Sequence, residues 1–213
     1  MRTIRISKGE YYHVYNRGYG KQLIFLNQKD LSRFLFLILY FQSPVNFPQV
    51  NRLTNLYDKN NNFEVEKEDT EEILSNRYID LISYCFMPNH FHLILKEVKE
   101  NGISQYMQRI QNSHTKYFNL KYERTGHLFQ GPFKIVHIED NEQLLHLSAY
   151  IHRNPREISQ WRNKEDFYEW SSYQDYIHKN RWGEILKTDI ILDQFDNTKE
   201  YRNFTDSSST KEA

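Results

Sequence analysis

The sequence predicts an α+β fold, with an antiparallel sheet and helices packed on one face. The first observation is the order of elements, which runs β-α-β-β-α-β-α with an insertion after the first helix. The second is a pair of strand patterns joined by "MPN", whose turn residues predict a hairpin and therefore an antiparallel pair. The 213 residues suffice for one domain with a sizeable core.

The first half of the chain opens with a strand and a helix. Residues 10–18, "EYYHVYNRG", form a strand pattern that ends in a glycine-marked turn. Residues 27–42 begin with a capping Asn and carry a broad apolar face, which predicts a helix ended by two prolines. Residues 44–77 contain the run "DKNNN" and many acids, so we expect a long connection or a small insertion there.

The second half predicts the rest of the sheet. Residues 77–87 and 90–98 are the two strands of the hairpin. Residues 103–122 place apolar side chains at helical spacing, with a polar opposite face. Residues 126–140 supply a loop and then a strand, and residues 141–154 form a helix that ends near a proline.

The domain expected from this order covers residues 1–180, with the acidic insertion at about 44–77. Residues 181–213 are expected to form a C-terminal extension that is partly disordered, because it ends in "FTDSSSTKEA". The formal net charge is zero, from 28 basic and 28 acidic residues. This total conceals an acidic stretch at 58–80 and a basic one at 104–138.

Composition also indicates the compartment. Cys85 is the single cysteine, which excludes an internal disulfide and fits a reducing cytosol. No run reaches the ~18 apolar residues that a membrane span requires, and "MRTIRISKGE" lacks the apolar region of a signal peptide. We expect a cytoplasmic protein without a membrane partner.

Two histidines stand out in "YCFMPNHFHLILKE" (residues 84–97). Residues i and i+2 of a strand point to the same face, so His90 and His92 are predicted to lie side by side, close enough to share a metal ion. The plainer interpretation has one histidine on a solvated face and the other in a local hydrogen bond. Ile94 stands where a histidine-triad hydrolase would need a third histidine, so that class is disfavoured.

The helix at 141–154 offers further candidates. Gln143, His146, Tyr150 and Asn154 are spaced three, four and four residues apart, which aligns them on one helical face. A tyrosine and an amide one turn apart on a polar face are unusual in a core helix. The alternative is that Tyr150 is a boundary residue of an amphipathic helix.

The segments "MPNHFHLIL", "GHLFQGPFK", "YIHRNP" and "EWSSYQDY", in this order, resemble the REP-associated tyrosine transposases. These belong to the single-tyrosine HUH transposase superfamily, whose domain is IS200-like. The resemblance covers roughly residues 10–178 and implies a ferredoxin-like HUH endonuclease fold. It also implies that His90, His92 and Asn154 bind Mg²⁺ or Mn²⁺, and that Tyr150 attacks DNA to form a 5′-phosphotyrosine.

Single-stranded or hairpin DNA is therefore the expected partner. Arg109 and Lys116 lie seven residues apart on the polar face of the helix at 103–122 and could follow a DNA backbone. His127, Gln130 and Lys134 lie in the loop and strand that resemble the family. Whether the protein is a monomer or a homodimer stays open.

The function implied is a metal-dependent single-strand DNA endonuclease and strand transferase acting at hairpin or palindromic repeats. The alternative is a domesticated hairpin-DNA-binding protein with little or no cleavage activity. An unrelated metal-binding structural domain is the third hypothesis. The segment departs from the family pattern at Phe129, where Trp is usual, and at Pro132, where a basic residue is usual.

Overall fold

A four-stranded antiparallel sheet forms the centre of the computed structural model, which describes residues 5–60 and 62–208. The strands are β1 (Tyr11–Arg17), β2 (Ile79–Met87), β3 (His90–Glu97) and β4 (Lys134–Ile138). They lie in the order β2-β3-β1-β4, and each neighbouring pair is antiparallel. This order, built from two β-α-β units, is that of the ferredoxin-like fold. The predicted α+β class is confirmed.

Eight α-helices surround the sheet in the described part of the chain. They are α1 (Gln28–Tyr40), α2 (Val50–Asn60), α3 (Lys67–Asn76), α4 (Gly102–Lys121), α5 (Asn141–Arg153), α6 (Tyr173–Ile177), α7 (Asp189–Leu192) and α8 (Thr198–Ser207). None of the helices described is long and apolar enough to cross a membrane.

Helices α1 and α4 cover one face of the sheet. The ring of Phe34, on α1, lies 5.1 Å from Phe86 of β2 and 5.2 Å from Phe91 of β3. Tyr106 of α4 donates a hydrogen bond of 2.6 Å to the carbonyl of Ile38, which joins the two helices. These aromatic side chains are fully buried, so this face of the sheet belongs to the core.

Helix α5 lies on the opposite face, above the histidine-bearing side of β3, so the helices cover both faces where one was expected. The reason is in the strands themselves. Seven consecutive residues of β2, from Leu81 to Met87, are buried, and in β3 the run from Phe91 to Leu95 is buried. Side chains on both sides of these strands are then removed from water only if both faces are covered.

Side chains accept hydrogen bonds from the first amides of α1, α4 and α5. The Asn27 side chain accepts a hydrogen bond from the Asp30 amide at the start of α1, and Asp140 accepts one of 2.8 Å from Gln143 at the start of α5. The Glu97 carboxylate, at the end of β3, accepts bonds of 3.0 and 2.7 Å from the first two amides of α4. Each cap fixes the point at which a helix leaves the sheet.

The segment at 44–77 contains α2 and α3. Helix α2 packs on α1, since Tyr57 stacks on Phe63 at 4.4 Å and Phe63 contacts Phe36 at 5.2 Å. The expected small insertion is therefore a helical layer whose apolar side chains join the main core.

The C-terminal part of the chain extends the β2 edge and then covers α5. The amide of Ser172 bonds to the carbonyl of Tyr84 at 2.9 Å, and the amide of Phe86 bonds to the carbonyl of Trp170 at 2.9 Å. In α8, Tyr201 is fully buried and donates to the Ser148 hydroxyl of α5 at 3.0 Å. The extension expected from residue 181 thus contains α7 and α8. The frayed end expected at 204–213 is helical up to Ser207, and residues 209–213 lie outside the described residues.

Candidate active site

The histidine pair of β3 lies on the sheet face that α5 covers. The rings of His90 and His92 have centroids 5.1 Å apart and planes at 89°. Phe91 between them points into the opposite face, where its side chain is fully buried. Strand alternation therefore delivers the two imidazoles side by side, as predicted.

Tyr150 on α5 is placed directly against this pair. Its ring lies 5.7 Å from that of His92, with the two planes at 88°. The flanking residues Ala149 and Ile151 are fully buried, which sets the rotation of the helix. Tyr150 itself is half-buried, so its phenol lies at the boundary between the sheet and solvent.

The end of α5 is anchored by a buried histidine. The His152 ring bonds through Nδ1 to the hydroxyl of Tyr201 at 2.7 Å and through Nε2 to that of Ser172 at 2.9 Å. These two partners belong to α8 and to the segment along the β2 edge. The helix that presents Tyr150 is therefore held from two further parts of the fold.

Asn154 follows Tyr150 by one turn and caps α5. Its Nδ2 donates a hydrogen bond of 2.9 Å to the Tyr150 carbonyl, and the side chain is only 5% exposed. The bond fixes the amide against the helix and leaves the carbonyl oxygen, Oδ1, as the atom that a cation would use. Asn154 thus contacts the backbone of Tyr150, and the ring of Tyr150 contacts that of His92.

Two residues of β1 complete the cluster, and neither was among the residues singled out from the sequence. Nε2 of His13 lies 2.8 Å from Nδ1 of His92. The Tyr15 ring stacks on both, at 4.8 Å from the His13 ring and 5.7 Å from the His92 ring. The alternating pattern of "EYYHVYNRG" places His13 and Tyr15 on one strand face, which is the signal that could have found them.

Burial determines the protonation of two of these imidazoles. It lowers the pKa of His13 to about 4. It also lowers the pKa of His92 well below the ordinary value, and charge on His13 or His90 would lower it further. Both rings are therefore neutral at pH 7, and each has one nitrogen lone pair.

The donor atoms of the pair fit a divalent metal ion. Nδ1 of His90 bonds to Oδ1 of Asn89 at 2.7 Å, and Nδ1 of His92 bonds to His13. With both Nδ1 atoms bonded inside the protein, Nε2 of each ring would be the ligand nitrogen, as is usual for metal-binding histidines. Among the residues described, no group of three or more His, Cys, Asp or Glu could hold a metal. A third ligand would then be an amide oxygen such as that of Asn154, a mixed set compatible with Mg²⁺ or Mn²⁺.

Polar and basic side chains lie beside the histidines. Lys134 of β4 pairs with Tyr15 across the sheet, and its ammonium group lies 5.8 Å from the Tyr15 ring. Arg17, which pairs with His90, donates a hydrogen bond to the Gln130 side chain. The structure thus brings the predicted residues Gln130 and Lys134 to the histidine face and adds Arg17 to them. His127 is exposed on the preceding loop.

The two predicted DNA contacts of α4 lie elsewhere, because α4 covers the face opposite the histidines. Arg109 donates to the carbonyls of Phe41, Ser43 and Val45, beyond the end of α1, and its guanidinium lies 4.8 Å from the Phe41 ring. This corrects the expected role, since the guanidinium is used to fix a turn of the chain. Lys116 is exposed on the same helix, on the far side of the sheet from Tyr150.

Comparison with known proteins agrees with this geometry. The family model described as "Transposase IS200 like" matches residues 55–154, a segment that contains both histidines of β3 and ends at Asn154. A solved structure described as a REP-associated tyrosine transposase bound to a REP hairpin aligns with a TM-score of 0.51 and 14% identity, over 83% of this chain and 84% of that one. No curated protein sequence matches the chain. The resemblance seen in the motifs is confirmed, since residues 55–154 match the IS200-like transposase family model and the fold matches that of the solved transposase structure.

Proposed function

We propose that the protein is a metal-dependent single-strand DNA endonuclease and strand transferase that acts at hairpin or palindromic repeats. The observation that carries the proposal is the contact between Tyr150 and His92, with His90 beside it. A tyrosine against two metal-binding imidazoles is an arrangement suited to attack on a phosphodiester. The family match supports it, and so does the structural relative, which is bound to a REP hairpin.

Tyr150 is the nucleophile of the reaction. Its Oη forms a bond to the scissile phosphorus while the bond from phosphorus to the 3′ oxygen breaks. The phenol proton is lost, and the leaving oxygen takes up a proton to become a free 3′-hydroxyl. The 5′ phosphate stays on Tyr150 as a phosphodiester, so another 3′-hydroxyl can reverse the step and join two strands.

The neighbouring side chains prepare the phosphate for this attack. The unperturbed pKa of tyrosine is about 10, so the phenol is a weak nucleophile at neutral pH without a nearby cation or base. His90, His92 and Asn154 would hold the cation. When bound, a divalent ion polarises a non-bridging phosphate oxygen and stabilises the charge of the transition state.

The basic residues beside the pair provide contacts for the DNA backbone. Lys134 and Arg17 lie on the same sheet face as the histidines and extend from neighbouring strands. Positive side chains there can neutralise the phosphates that flank the scissile one. The Gln130 side chain accepts a hydrogen bond from Arg17 and thereby orients its guanidinium.

Cleavage and binding can be measured on the same oligonucleotides. Single-stranded DNA that contains an inverted repeat able to form a hairpin is labelled at the 5′ end and incubated with the protein and Mn²⁺. Cleavage is followed on a denaturing gel and binding by fluorescence anisotropy, with fully duplex DNA and EDTA as controls. We expect cleavage of the hairpin strand that requires the metal and is absent on duplex DNA. Tight hairpin binding without cleavage would instead indicate a domesticated DNA-binding protein.

A further inference from the structure

We propose that His13 is a positioning residue, which holds His92 in the tautomer that presents its Nε2 lone pair to a metal ion. The inference rests on the proposed function, since it concerns the metal site of that reaction. It starts from one contact, the 2.8 Å distance between Nε2 of His13 and Nδ1 of His92. The family match begins at residue 55, so His13 lies outside the matched segment.

The contact allows two arrangements of one proton. If His92 carries the proton on Nδ1 and donates it, His13 accepts at Nε2 and the Nε2 of His92 keeps a lone pair. If His13 donates instead, the proton of a neutral His92 must sit on Nε2, and that nitrogen cannot bind a metal. Metal binding by His92 through Nε2 therefore requires His13 to be the acceptor.

The surroundings hold His13 in this place. β1 and β3 pair so that Tyr15 lies opposite His92 and His13 lies opposite Ile94. The His13 and His92 rings lie edge to edge in nearly one plane, with centroids 5.1 Å apart and planes 20° apart, and the Tyr15 ring lies against both. The backbone ladder and the neighbouring Tyr15 ring limit rotation of the imidazole away from its partner.

His13 acts through His92 rather than as a third ligand. Its Nε2 is directed at Nδ1 of His92, on the side of that ring away from Nε2. No triad of His, Cys, Asp or Glu suited to a metal was found over residues 5–60 and 62–208. A histidine behind a ligating histidine fills the place that a carboxylate or carbonyl usually takes in metal sites.

The test uses the full chain, with three substitutions. His13→Ala removes the acceptor, and His13→Gln restores one through its amide oxygen. His137→Gln is the matched control, because His137 is a histidine of the same sheet whose partner is Glu10. The tautomer of His92 is read in the metal-free protein by ¹⁵N–¹H NMR of the imidazoles, and Mn²⁺ affinity is measured by titration calorimetry.

We expect His92 of the unsubstituted protein to carry its proton on Nδ1. In His13→Ala the proton moves to Nε2 and Mn²⁺ affinity falls by about 10- to 100-fold. His13→Gln recovers most of the Nδ1 tautomer and most of the Mn²⁺ affinity. His137→Gln changes neither the tautomer nor the affinity. Should His13→Ala fail to fold, the tautomers of the unsubstituted protein and of His13→Gln decide the question.

The proposal is overturned if His92 carries its proton on Nε2 before substitution, or if His13→Ala leaves both tautomer and affinity unchanged. A protein that binds no Mn²⁺ but keeps the Nδ1 proton would count against the proposed function and uphold the role of His13. The two failures are therefore distinguishable, because the NMR measurement needs neither metal nor DNA.

Discussion

The ring of Tyr150 stands edge-on to the ring of His92, with centroids 5.7 Å apart and planes at 88°. The two residues belong to elements that meet only in the folded chain, the helix α5 and the central strand β3. His152 ties the same helix to α8 and to the β2 edge, so the phenol is held over the histidine face by several contacts.

Replacing Tyr150 with Phe should remove strand cleavage while leaving the fold and hairpin binding intact. The substitution deletes only the hydroxyl that is proposed to form the covalent bond, so we expect a loss of at least about 10³-fold. Initial cleavage rates on labelled hairpin DNA measure it. Tyr19→Phe is the control, because Tyr19 is 65% exposed and lies outside the cluster. Equal rates for the two variants would contradict the assignment.

Removing a proposed metal ligand should reduce the cleavage rate more than it reduces the affinity for DNA. His92→Ala deletes one of the two proposed imidazole ligands, and loss of the cation would cost several kcal/mol of transition-state stabilisation. This corresponds to roughly two or three orders of magnitude in rate. Cleavage is measured against Mn²⁺ concentration, with His137→Ala as the control. A His92→Ala enzyme that saturates at the same Mn²⁺ concentration and rate would disprove a ligand role.

DNA should bind on the histidine face and not on α4. Lys134→Ala is expected to weaken hairpin binding and to reduce the salt slope of the affinity by about 1, as loss of one phosphate contact does. Lys116→Ala, on the far side of the sheet, should change neither quantity. Anisotropy titrations at several salt concentrations give both slopes. The opposite pattern would place the DNA against α4.

Arg109 should contribute to the free energy of unfolding and not to the affinity for hairpin DNA. Its guanidinium donates to three carbonyls beyond the end of α1, and Arg109→Ala leaves these groups without their partner. A lost partner for a buried polar group costs about 1–3 kcal/mol, so the free energy of unfolding should fall by that amount. Urea unfolding measures it, with the exposed Lys116→Ala as reference. A stable Arg109→Ala with reduced hairpin affinity would restore the original assignment.

Acid should destabilise the fold through its buried histidines. Burial lowers the pKa of His152 to about 3, against about 6.5 in an unfolded chain. Because the unfolded state binds the proton more readily, this stabilisation is complete above pH 6.5 and is lost as the pH falls toward 3. At pH 5 the loss is on the order of 2 kcal/mol from His152 alone. Urea unfolding at pH 7 and pH 5 measures the loss of unfolding free energy on acidification. This loss should be smaller in His152→Gln than in the unsubstituted protein, and equal losses would refute the role of His152.

Local signals in the sequence were enough for most of the fold. The capping Asn27 predicted the start of α1, and the Pro88–Asn89 turn predicted the hairpin of β2 and β3. The period of two in β3 predicted that His90 and His92 share a face. All of these depend on residues within a few positions of one another.

Contacts between segments that are distant along the chain could not be predicted from the sequence. The alternation of β1 places His13 and Tyr15 on one face, but only the β1–β3 register shows that this face meets His92. For the same reason, the sequence did not predict that helices pack on both faces of β2 and β3. Helix α2 was not predicted because its polar residues obscured its buried apolar side chains, such as Tyr57, which stacks on Phe63.

A covalent bond between Tyr150 and DNA is the step that distinguishes the proposed enzyme from a DNA-binding protein. To detect it, the protein is incubated with single-stranded hairpin DNA and Mn²⁺, the mixture is denatured, and the adduct is mapped by mass spectrometry. We expect a 5′-phosphotyrosine on the peptide that contains Tyr150, absent from Tyr150→Phe. An adduct on another tyrosine, or cleavage without any adduct, would contradict it.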